Sequence, residues 1–397
     1  MKSFAIILAC YQRLPGLKRL LSSLERVDFD GRTDITLLFS IDNSGASFVE
    51  DFARDYAWRF GEKIVRTFPE RQGLKNHILR CGDDTERYDI VVVLEDDIYV
   101  SDSMYHYAYQ AASFYEGDES IAGISLYSFQ KNWLKWLLRF EPQRTTCDTF
   151  FLKVAMSWGQ VWTAKKWRPF KAWLSQHRDF LPSEGIPDAL NQWPASSWLK
   201  YHDRYCIEQG KYFVYPYGSL STNCSDAGEH AAYPVTDHQV ELQYGKTEYR
   251  FPTFDARAVR YDEYMEREGL GQFLGVPEEA LTVAIWGTKK SGLWKRYVLT
   301  IDSLPFAVIR RYGMALHPVE LNVTQQYPGD TIKLYDTTIP AKAPKIDADF
   351  IRYRYSIRSN DYRTIAPFAW KLSRQMKNDI QRKIMKKRKD REDQPHV

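Results

Sequence analysis

The sequence predicts an α/β fold in which helices cover both faces of a mostly parallel sheet. In the first hundred residues, short apolar runs alternate with stretches whose apolar residues recur at helical spacing. The apolar runs are continuous, which is typical of strands buried on both faces. Polar clusters follow three of these runs, and α/β sheets bind their ligands beyond the carboxyl ends of strands. The sequence therefore predicts a ligand crevice at that edge.

The predicted elements follow one another in strand–helix order. Strands are expected at residues 4–8, 35–41, 63–67 and 90–94, and helices at 14–24, 48–60 and 73–79. Residues 120–235 are aromatic-rich and less regular, which favours a substrate-facing half. Residues 319–340 (VELNVTQQYPGDTIKLYDTTIP) predict a β-like segment punctuated by proline, and a basic helix is expected at the C-terminus.

Composition indicates an ordered globular protein with a sizeable core. The chain has 397 residues, of which 44% are hydrophobic and 15% aromatic. The formal net charge is +4, but residues 371–397 carry ten Lys or Arg and four Asp or Glu, which leaves −2 for residues 1–370. A nucleic-acid-binding protein would carry its basic surface on the folded domain, so we expect no nucleic-acid partner.

Cysteines and hydropathy indicate a cytoplasmic location. The five cysteines are scattered and show no C-x-x-C spacing, so neither a disulfide framework nor a zinc site is predicted. The short apolar segment at residues 4–10 is predicted to be a strand and not a secretory signal. No window approaches the ~20 apolar residues of a membrane-spanning helix, so any membrane contact is expected to be peripheral.

Three adjacent carboxylates end the most apolar predicted strand, in the sequence VVVLEDDIYV at residues 91–100. Crowded carboxylates repel one another unless water or a cation neutralises them. Mg²⁺ and Mn²⁺ are bound by one or two carboxylates together with water and phosphate oxygens. The triplet Glu95-Asp96-Asp97 therefore predicts a metal–diphosphate site, with a solvated acidic turn at a helix start as the alternative.

Several stretches in order resemble the nucleotide-sugar-binding half of family 2 and related glycosyltransferases of the GT-A fold. They are ILACYQRLPGLKRLLSSL, LLFSIDNSG, RQGLKNHILR and VVVLEDDIYVSDSMYHYA, over about residues 3–130. SWGQVWTAKKW at 157–167 looks like the acceptor-side motif of bacterial polysaccharide glycosyltransferases, and NCSDAGEH at 223–230 resembles a later segment of them. The resemblance implies a GT-A domain at 1–240, with donor and acceptor halves meeting at 130/131. A C-terminal α+β extension would occupy 241–397.

The resemblance also implies donor-site roles for residues near the first strands. The loop with Ala9, Tyr11 and Arg13 would cradle the nucleotide base, and Asp42 would contact it. Lys75 would reach the diphosphate. The alternatives are a surface arginine at Arg13, a simple turn at Asp42 and a solvated helix lysine at Lys75.

Metal binding is assigned by the same resemblance. Asp97 would be the main ligand of Mn²⁺ or Mg²⁺, Asp96 would face the ribose or the metal, and Glu95 would belong to the nucleotide-sugar site. His230 would be a late metal ligand, since neutral imidazole suits Mn²⁺. A histidine in a Gly-Glu-His loop is otherwise a surface residue.

The catalytic base is less well defined. An inverting transfer needs a carboxylate to take the proton of the acceptor hydroxyl. Related families carry this acid in a Trp-Asp type motif, where this chain has Trp198-Leu199-Lys200. Asp203 is the prediction, with His202, Asp188 and Glu229 as further options and a solvated partner of Arg204 as the alternative.

Aromatic residues predict an acceptor surface, because sugar rings pack on aromatic faces. Trp158 is the residue expected to reach the acceptor, since the adjacent Gly159 permits close approach of the backbone. The candidate set also includes Tyr127, Trp162 and Tyr217, and all four suit a core equally well.

The C-terminal region carries aromatic and basic residues together, at 286–311 and 368–389. Basic amphipathic helices with tryptophan are typical of membrane-surface binders. The alternatives are a helix packed on the body, a homo-oligomer contact or a solvated tail.

These patterns predict a metal-dependent, inverting glycosyltransferase that uses a nucleoside-diphosphate sugar, with UDP as the expected nucleotide. The acceptor is expected to be a lipid-linked bacterial surface glycan, used at the inner face of the cytoplasmic membrane. The rivals are a nucleotidyltransferase, which would need a Gly-rich phosphate loop, and a non-catalytic glycan-binding or scaffold protein on the same fold.

Overall fold

The computed structural model describes residues 1–177, 182–183, 185–226, 238–255 and 257–345, with residues 366–367, 369–371, 373–374 and 376–377. The chain divides into two compact units, Met1–Pro344 and Lys345–Val397. All the elements named below lie in the first unit. The predicted basic helix at the C-terminus falls mostly outside the described residues.

The described residues form seventeen strands and nine α-helices. The strands are β1 (Phe4–Cys10), β2 (Ile35–Ile41), β3 (Lys63–Thr67), β4 (Ile90–Glu95), β5 (Ile98–Val100), β6 (Ile121–Ser125), β7 (Lys131–Asn132), β8 (Lys135–Arg139), β9 (Thr149–Leu152), β10 (Gln160–Trp162), β11 (Tyr212–Pro216), β12 (Ser221–Asn223), β13 (Arg260–Tyr261), β14 (Leu281–Val283), β15 (Tyr297–Thr300), β16 (Phe306–Tyr312) and β17 (Ile332–Pro340). The helices are α1 (Leu14–Leu24), α2 (Phe48–Asp55), α3 (Gly73–Asp83), α4 (Met104–Phe114), α5 (Ala164–Gln176), α6 (Asp188–Gln192), α7 (Trp198–Glu208), α8 (Gly271–Leu274) and α9 (Leu321–Thr324).

A nine-stranded mixed sheet is the centre of the first unit, with the order β13-β9-β11-β6-β10-β4-β1-β2-β3. Strands β3, β2, β1 and β4 are parallel to one another, and β10 is antiparallel to both β4 and β6. The prediction of an α/β fold with a mixed sheet is confirmed, and so are the four predicted strands. The carboxyl ends of β1, β2 and β4 meet at one edge, as parallel pairing requires.

Both faces of this sheet are buried. Along β4, Val92 and Leu94 belong to one apolar cluster with α1, α2 and α4, whereas Val91 and Val93 belong to a second cluster with α3, α5 and α7. The continuous apolar sequence of the strand follows from this arrangement, because successive side chains point to opposite faces.

Two local predictions were wrong. The helix predicted at 48–60 ends at Asp55, because the chain turns back onto β2. Trp58 Nε1 donates to the Ile35 carbonyl (2.8 Å), and the Ile35 N–H donates to the Phe60 carbonyl (2.9 Å). In the segment 319–340, only β17 is a strand. Its first part is the short helix α9, whose Asn322 side chain accepts from the N–H groups of Ala315 (2.9 Å) and Leu316 (3.0 Å).

The main sheet continues past residue 240, where the sequence predicts a domain boundary. β13 pairs with β9, and the following loop carries Asp262 and Glu266. Asp262 forms an ion pair with the largely buried Lys289, and Glu266 accepts a hydrogen bond from the Thr288 hydroxyl (2.8 Å). These contacts join the sheet β14-β15-β17-β16 to the rest of the first unit.

Candidate functional site

The site lies where β1, β2 and β4 end side by side. Ala9 of β1 pairs with Glu95 of β4, and Cys10 pairs with Ile41 of β2. The structure therefore brings the loops after these three strands to one edge, as the sequence predicts. The loops carry the predicted donor-site residues Tyr11, Arg13, Asp42, Asp96 and Asp97.

Arg13 lies between two carboxylates of the acidic triplet. Its Nη2 is 2.6 Å from Asp96 Oδ1, and its Nη1 donates to Asp97 Oδ2 at 2.8 Å. The Asp96 side chain is 3% exposed and that of Asp97 is 12% exposed, while Arg13 keeps 30% of its side chain in solvent. The cluster is thus a buried set of acids with a cation at its open side.

Burial and the neighbouring carboxylates make Glu95 and Asp96 harder to ionise. Burial, followed by the charge of Asp97, raises the pKa of Glu95 to about 8, and burial raises that of Asp96 to about 6. Burial lowers the pKa of Arg13, but the three acids raise it by more, so the guanidinium stays charged. Arg13 is the one guanidinium that the described residues place in ion pairs with this turn, which carries three acids. The acids therefore outnumber the cation, and a further cation could bind.

The donor atoms suit a hard divalent ion. Asp97 Oδ1 is buried, and the described residues supply no hydrogen-bond partner for it, which is costly for a carboxylate oxygen unless a ligand binds there. Among the described residues, no three His, Cys, Asp or Glu side chains are grouped as a metal site. Mg²⁺ and Mn²⁺ sites use few protein carboxylates and take other oxygens from water and phosphate, so a site built on Asp97 fits.

Two other segments close around the turn. The N–H of Cys224, just after β12, donates to the Asp97 carbonyl at 2.8 Å. Asp226 forms an ion pair with Arg19 of α1. A Cβ at Gly16 would lie 2.6 Å from the Asp96 carbonyl oxygen, so α1 can approach the turn this closely only with glycine there.

Asp42 is placed at the edge of the site but serves the backbone. Its Oδ1 accepts from the N–H groups of Asn43 (2.9 Å) and Gln72 (2.7 Å), and its Oδ2 accepts from Gly73 (2.9 Å). The side chain is buried and holds the start of α3 against the end of β2. A carboxylate has about four acceptor positions, so one remains for a base.

Two cationic side chains border the same edge. The Arg71 guanidinium lies 5.0 Å from the centroid of the Tyr11 ring, and Lys75 Nζ lies 3.6 Å above the ring of Tyr201. The sequence prediction includes Lys75 but not Arg71. The position of Arg71 just before α3, in the stretch RQGLKNHILR, could have identified it.

Trp158 lies beside the acidic turn, within an aromatic group. Its ring centroid is 4.8 Å from that of Tyr127 and 4.5 Å from that of His238, and its carbonyl accepts from Ser221 Oγ at 2.5 Å. Gly159 has φ of 101°, which favours glycine, and a Cβ there would lie 3.1 Å from the Leu126 side chain. The sequence analysis did not single out His238. Of the other aromatic candidates, Trp162 is 1% exposed and packs in the core.

Asp203 occupies a different environment. It is 1% exposed, and its Oδ1 accepts from the Ala155 N–H at 2.6 Å, while the described residues supply no hydrogen-bond partner for Oδ2. Burial raises its pKa well above the usual range, because burial disfavours the charged form. The structure does not bring Asp203 into hydrogen-bonding contact with the acidic triplet.

The structure describes two of the three alternative bases, His202 and Asp188. His202 is fully buried and stacks on Phe170 with centroids 4.1 Å apart, and burial lowers its pKa to about 3. Asp188 begins α6 and forms an ion pair with Lys290. Glu229 and the predicted metal ligand His230 lie outside the described residues.

Comparison with known proteins gives distant structural likenesses. No protein-family model and no curated protein sequence matches the chain. The mannosyltransferase PcManGT from Pyrobaculum calidifontis, in complex with GDP-Man and Mn²⁺, is 13% identical over 54% of this chain and 55% of that chain, with a TM-score of 0.32. S. aureus TarS 1–349 with UDP-GlcNAc is 17% identical over 58% and 60%, with a TM-score of 0.34.

A third structure, GalNAc-T7 with UDP, GalNAc and Mn²⁺, is 11% identical over 55% of this chain and 43% of that chain, with a TM-score of 0.35. This chain therefore aligns with only about half of each of these proteins. Such low TM-scores do not carry a function from one chain to another.

Among the described residues, none of the helices combines the length and the apolar character needed to cross a bilayer.

Proposed function

We propose that this protein is a metal-dependent glycosyltransferase that takes a nucleoside-diphosphate sugar as donor. The observation that carries the proposal is the acidic turn after β4, in which Asp97 offers a buried carboxylate oxygen that no other described residue hydrogen-bonds. It lies at the ligand-binding edge of the sheet, next to Arg13 and the loop with Tyr11. The resemblance of residues 3–130 to GT-A glycosyltransferases supports the same assignment.

The residues at this edge of the sheet would have the following roles in such a reaction. Asp97 would hold a divalent metal, which neutralises the diphosphate as it leaves. Tyr11 offers a ring for the nucleotide base, and Asp42 fixes the start of α3 while keeping one acceptor position. Glu95 and Asp96 shape the turn from within the buried cluster.

On the acceptor side, Trp158 offers a ring for a sugar. Its position is fixed by Tyr127 and by the hydrogen bond from Ser221. The proposed outcome is inversion at the anomeric carbon, with Asp203 proposed as the base. In the described arrangement Asp203 is buried and its raised pKa disfavours the carboxylate form, so it would act as a base only after the segment around Ala155 moved and exposed it.

The finer parts of the proposal rest on the sequence. UDP is proposed as the nucleotide, a bacterial surface glycan on a lipid carrier as the acceptor, and the inner membrane surface as the site of action. His230 is proposed as a further metal ligand. A homo-oligomer is compatible with the proposal.

A nucleotidyltransferase is the second enzyme candidate. It would need a glycine-rich loop whose backbone N–H groups face a phosphate. The stretch YQRLPGLKR after β1 contains one glycine, Gly16, which lies inside α1 against the Asp96 carbonyl and offers no such loop. A non-catalytic glycan-binding protein is separated from the proposal by turnover of a nucleotide sugar.

The test is isothermal titration with UDP and with GDP, each in Mn²⁺ and in EDTA. Metal-dependent binding of one nucleotide, lost in Asp97→Asn, is the expected result. Asp55→Asn, which changes an exposed acid at the end of α2, is the matched control and should bind like the wild type. Failure of the folded wild type to bind either nucleotide would contradict the donor site.

A further inference from the structure

Arg13 occupies the position of a counter-ion. Its backbone is fixed at the start of α1, where the Leu17 N–H donates to the Arg13 carbonyl at 2.9 Å. Its side chain contacts Asp96 and Asp97 through two different nitrogens. A planar guanidinium is suited to bridge two carboxylates in this way, which a lysine ammonium cannot do with the same geometry.

Arg13 contacts one Asp97 oxygen, and no described residue hydrogen-bonds the other. A divalent ion at Oδ1 would lie next to the guanidinium on Oδ2, and two cations that close to each other repel strongly inside a protein. The Arg13 side chain is 30% exposed, so water can solvate the guanidinium when it leaves Asp97. Metal binding and the Arg13–Asp97 ion pair therefore oppose each other.

We propose that Arg13 is a resident counter-cation of the acidic turn, which a divalent metal must displace from Asp97 and which is then free to pair with the donor diphosphate. The inference rests on the proposed metal site at Asp97. In the metal-free protein, Arg13 compensates the buried acids. In the loaded protein, the released guanidinium gives the diphosphate a second cation, so metal and donor are expected to bind with positive coupling.

The test is titration of the metal-free protein with Mn²⁺ alone, followed by the electron paramagnetic resonance signal of free Mn²⁺. Arg13→Gln should bind Mn²⁺ about tenfold more tightly than the wild type, because the competing cation is gone. Arg13→Lys should fall between them, and it keeps the inference testable if the glutamine variant does not fold. Arg26→Gln, which removes an arginine that contacts Tyr99, should bind Mn²⁺ like the wild type.

Chemical replacement gives an independent measurement. In Arg13→Ala, millimolar guanidinium chloride should weaken Mn²⁺ binding, because the free ion can occupy the space left by the side chain. The wild type should show no such effect.

The outcomes separate this inference from the proposed function. Equal or weaker Mn²⁺ binding by Arg13→Gln, with binding still lost in Asp97→Asn, would overturn the role of Arg13 and leave the metal site standing. Absence of Mn²⁺ binding in the wild type and in every variant, also with UDP present, would overturn both.

Discussion

The acidic turn after β4 and the acid on α7 show two ways in which a fold holds carboxylates out of water. The turn gathers Glu95, Asp96 and Asp97 at a sheet edge and compensates them with Arg13. Asp203 is buried on α7, where burial raises its pKa and the backbone N–H of Ala155 donates to its side chain. In the first arrangement an arginine forms ion pairs with two of the acids at the ligand-binding edge of the sheet. In the second, the described residues supply a backbone donor and no ion pair, so similar burial does not imply a similar environment.

The largest expected difference between the two regions is in ligand binding. Asp97→Asn should weaken binding of the metal–nucleotide pair by more than about 100-fold, because a neutral amide is a poor ligand for a hard cation. Asp203→Asn should change the same dissociation constant by less than about threefold. Calorimetric titration of both variants measures this, and equal losses would contradict the contrast.

Packing against the turn gives the next largest effect. Gly16→Ala places a Cβ 2.6 Å from the Asp96 carbonyl, so we expect a loss of about 3 kcal/mol in unfolding free energy, although alanine favours a helix by about 1 kcal/mol. Gly117→Ala, where no atom lies within 4 Å of the added carbon, is the control. Urea unfolding measures both, and equal midpoints would refute the close approach of α1.

At Asp203 the two possible substitutions should differ in stability. Asp203→Ala leaves the buried Ala155 N–H without an acceptor and should cost about 2 kcal/mol of unfolding free energy. Asp203→Asn retains an acceptor and resembles the protonated acid, so it should cost less than about 1 kcal/mol. If Asp203→Asn keeps its stability and nucleotide binding but loses transfer activity, Asp203 is the base after all.

A pH dependence near Asp203 gives an effect no larger than that of Asp203→Ala. The pKa of His202 is lowered by burial to about 3, so below its ordinary value near 6.5 the unfolded chain takes up a proton that the folded chain refuses. The folded state therefore loses stability as the pH falls from about 6.5, by about 2 kcal/mol at pH 5 from this residue.

His202→Phe removes this contribution, and the new ring can stack on Phe170. The variant should be at least as stable as the wild type at pH 7.5 and lose about 2 kcal/mol less on transfer to pH 5. Unfolding in urea at both pH values checks this. Parallel losses in the two proteins would contradict a neutral buried His202.

The sequence predicts the donor half of the sheet well because one physical signal dominates there. Continuous apolar runs such as 90–94 define strands buried on both faces, and the residues after them must meet at one edge. The clustering of Arg13 with Asp96 and Asp97 follows from that topology. Its geometry, and the orphaned oxygen of Asp97, do not follow from a sequence pattern.

The acceptor half is less predictable because its contacts are distant in the chain. The sequence places Asp203 on a helix, but only the fold shows that it meets Ala155, 48 residues away. Likewise, His238 reaches Trp158 through a tertiary contact that periodicity does not reveal. The helix α9 shows the same limit on a smaller scale, because its Asn322 organises backbone groups that no local propensity identifies.

The most direct test of the central claim is a crystal of the protein grown with UDP and Mn²⁺, measured at the manganese absorption edge. We expect an anomalous peak within coordination distance of Asp97. The diphosphate should lie next to this peak, and no peak should lie near Asp203. A bound nucleotide without a peak at Asp97, or a peak at any other carboxylate, would contradict it.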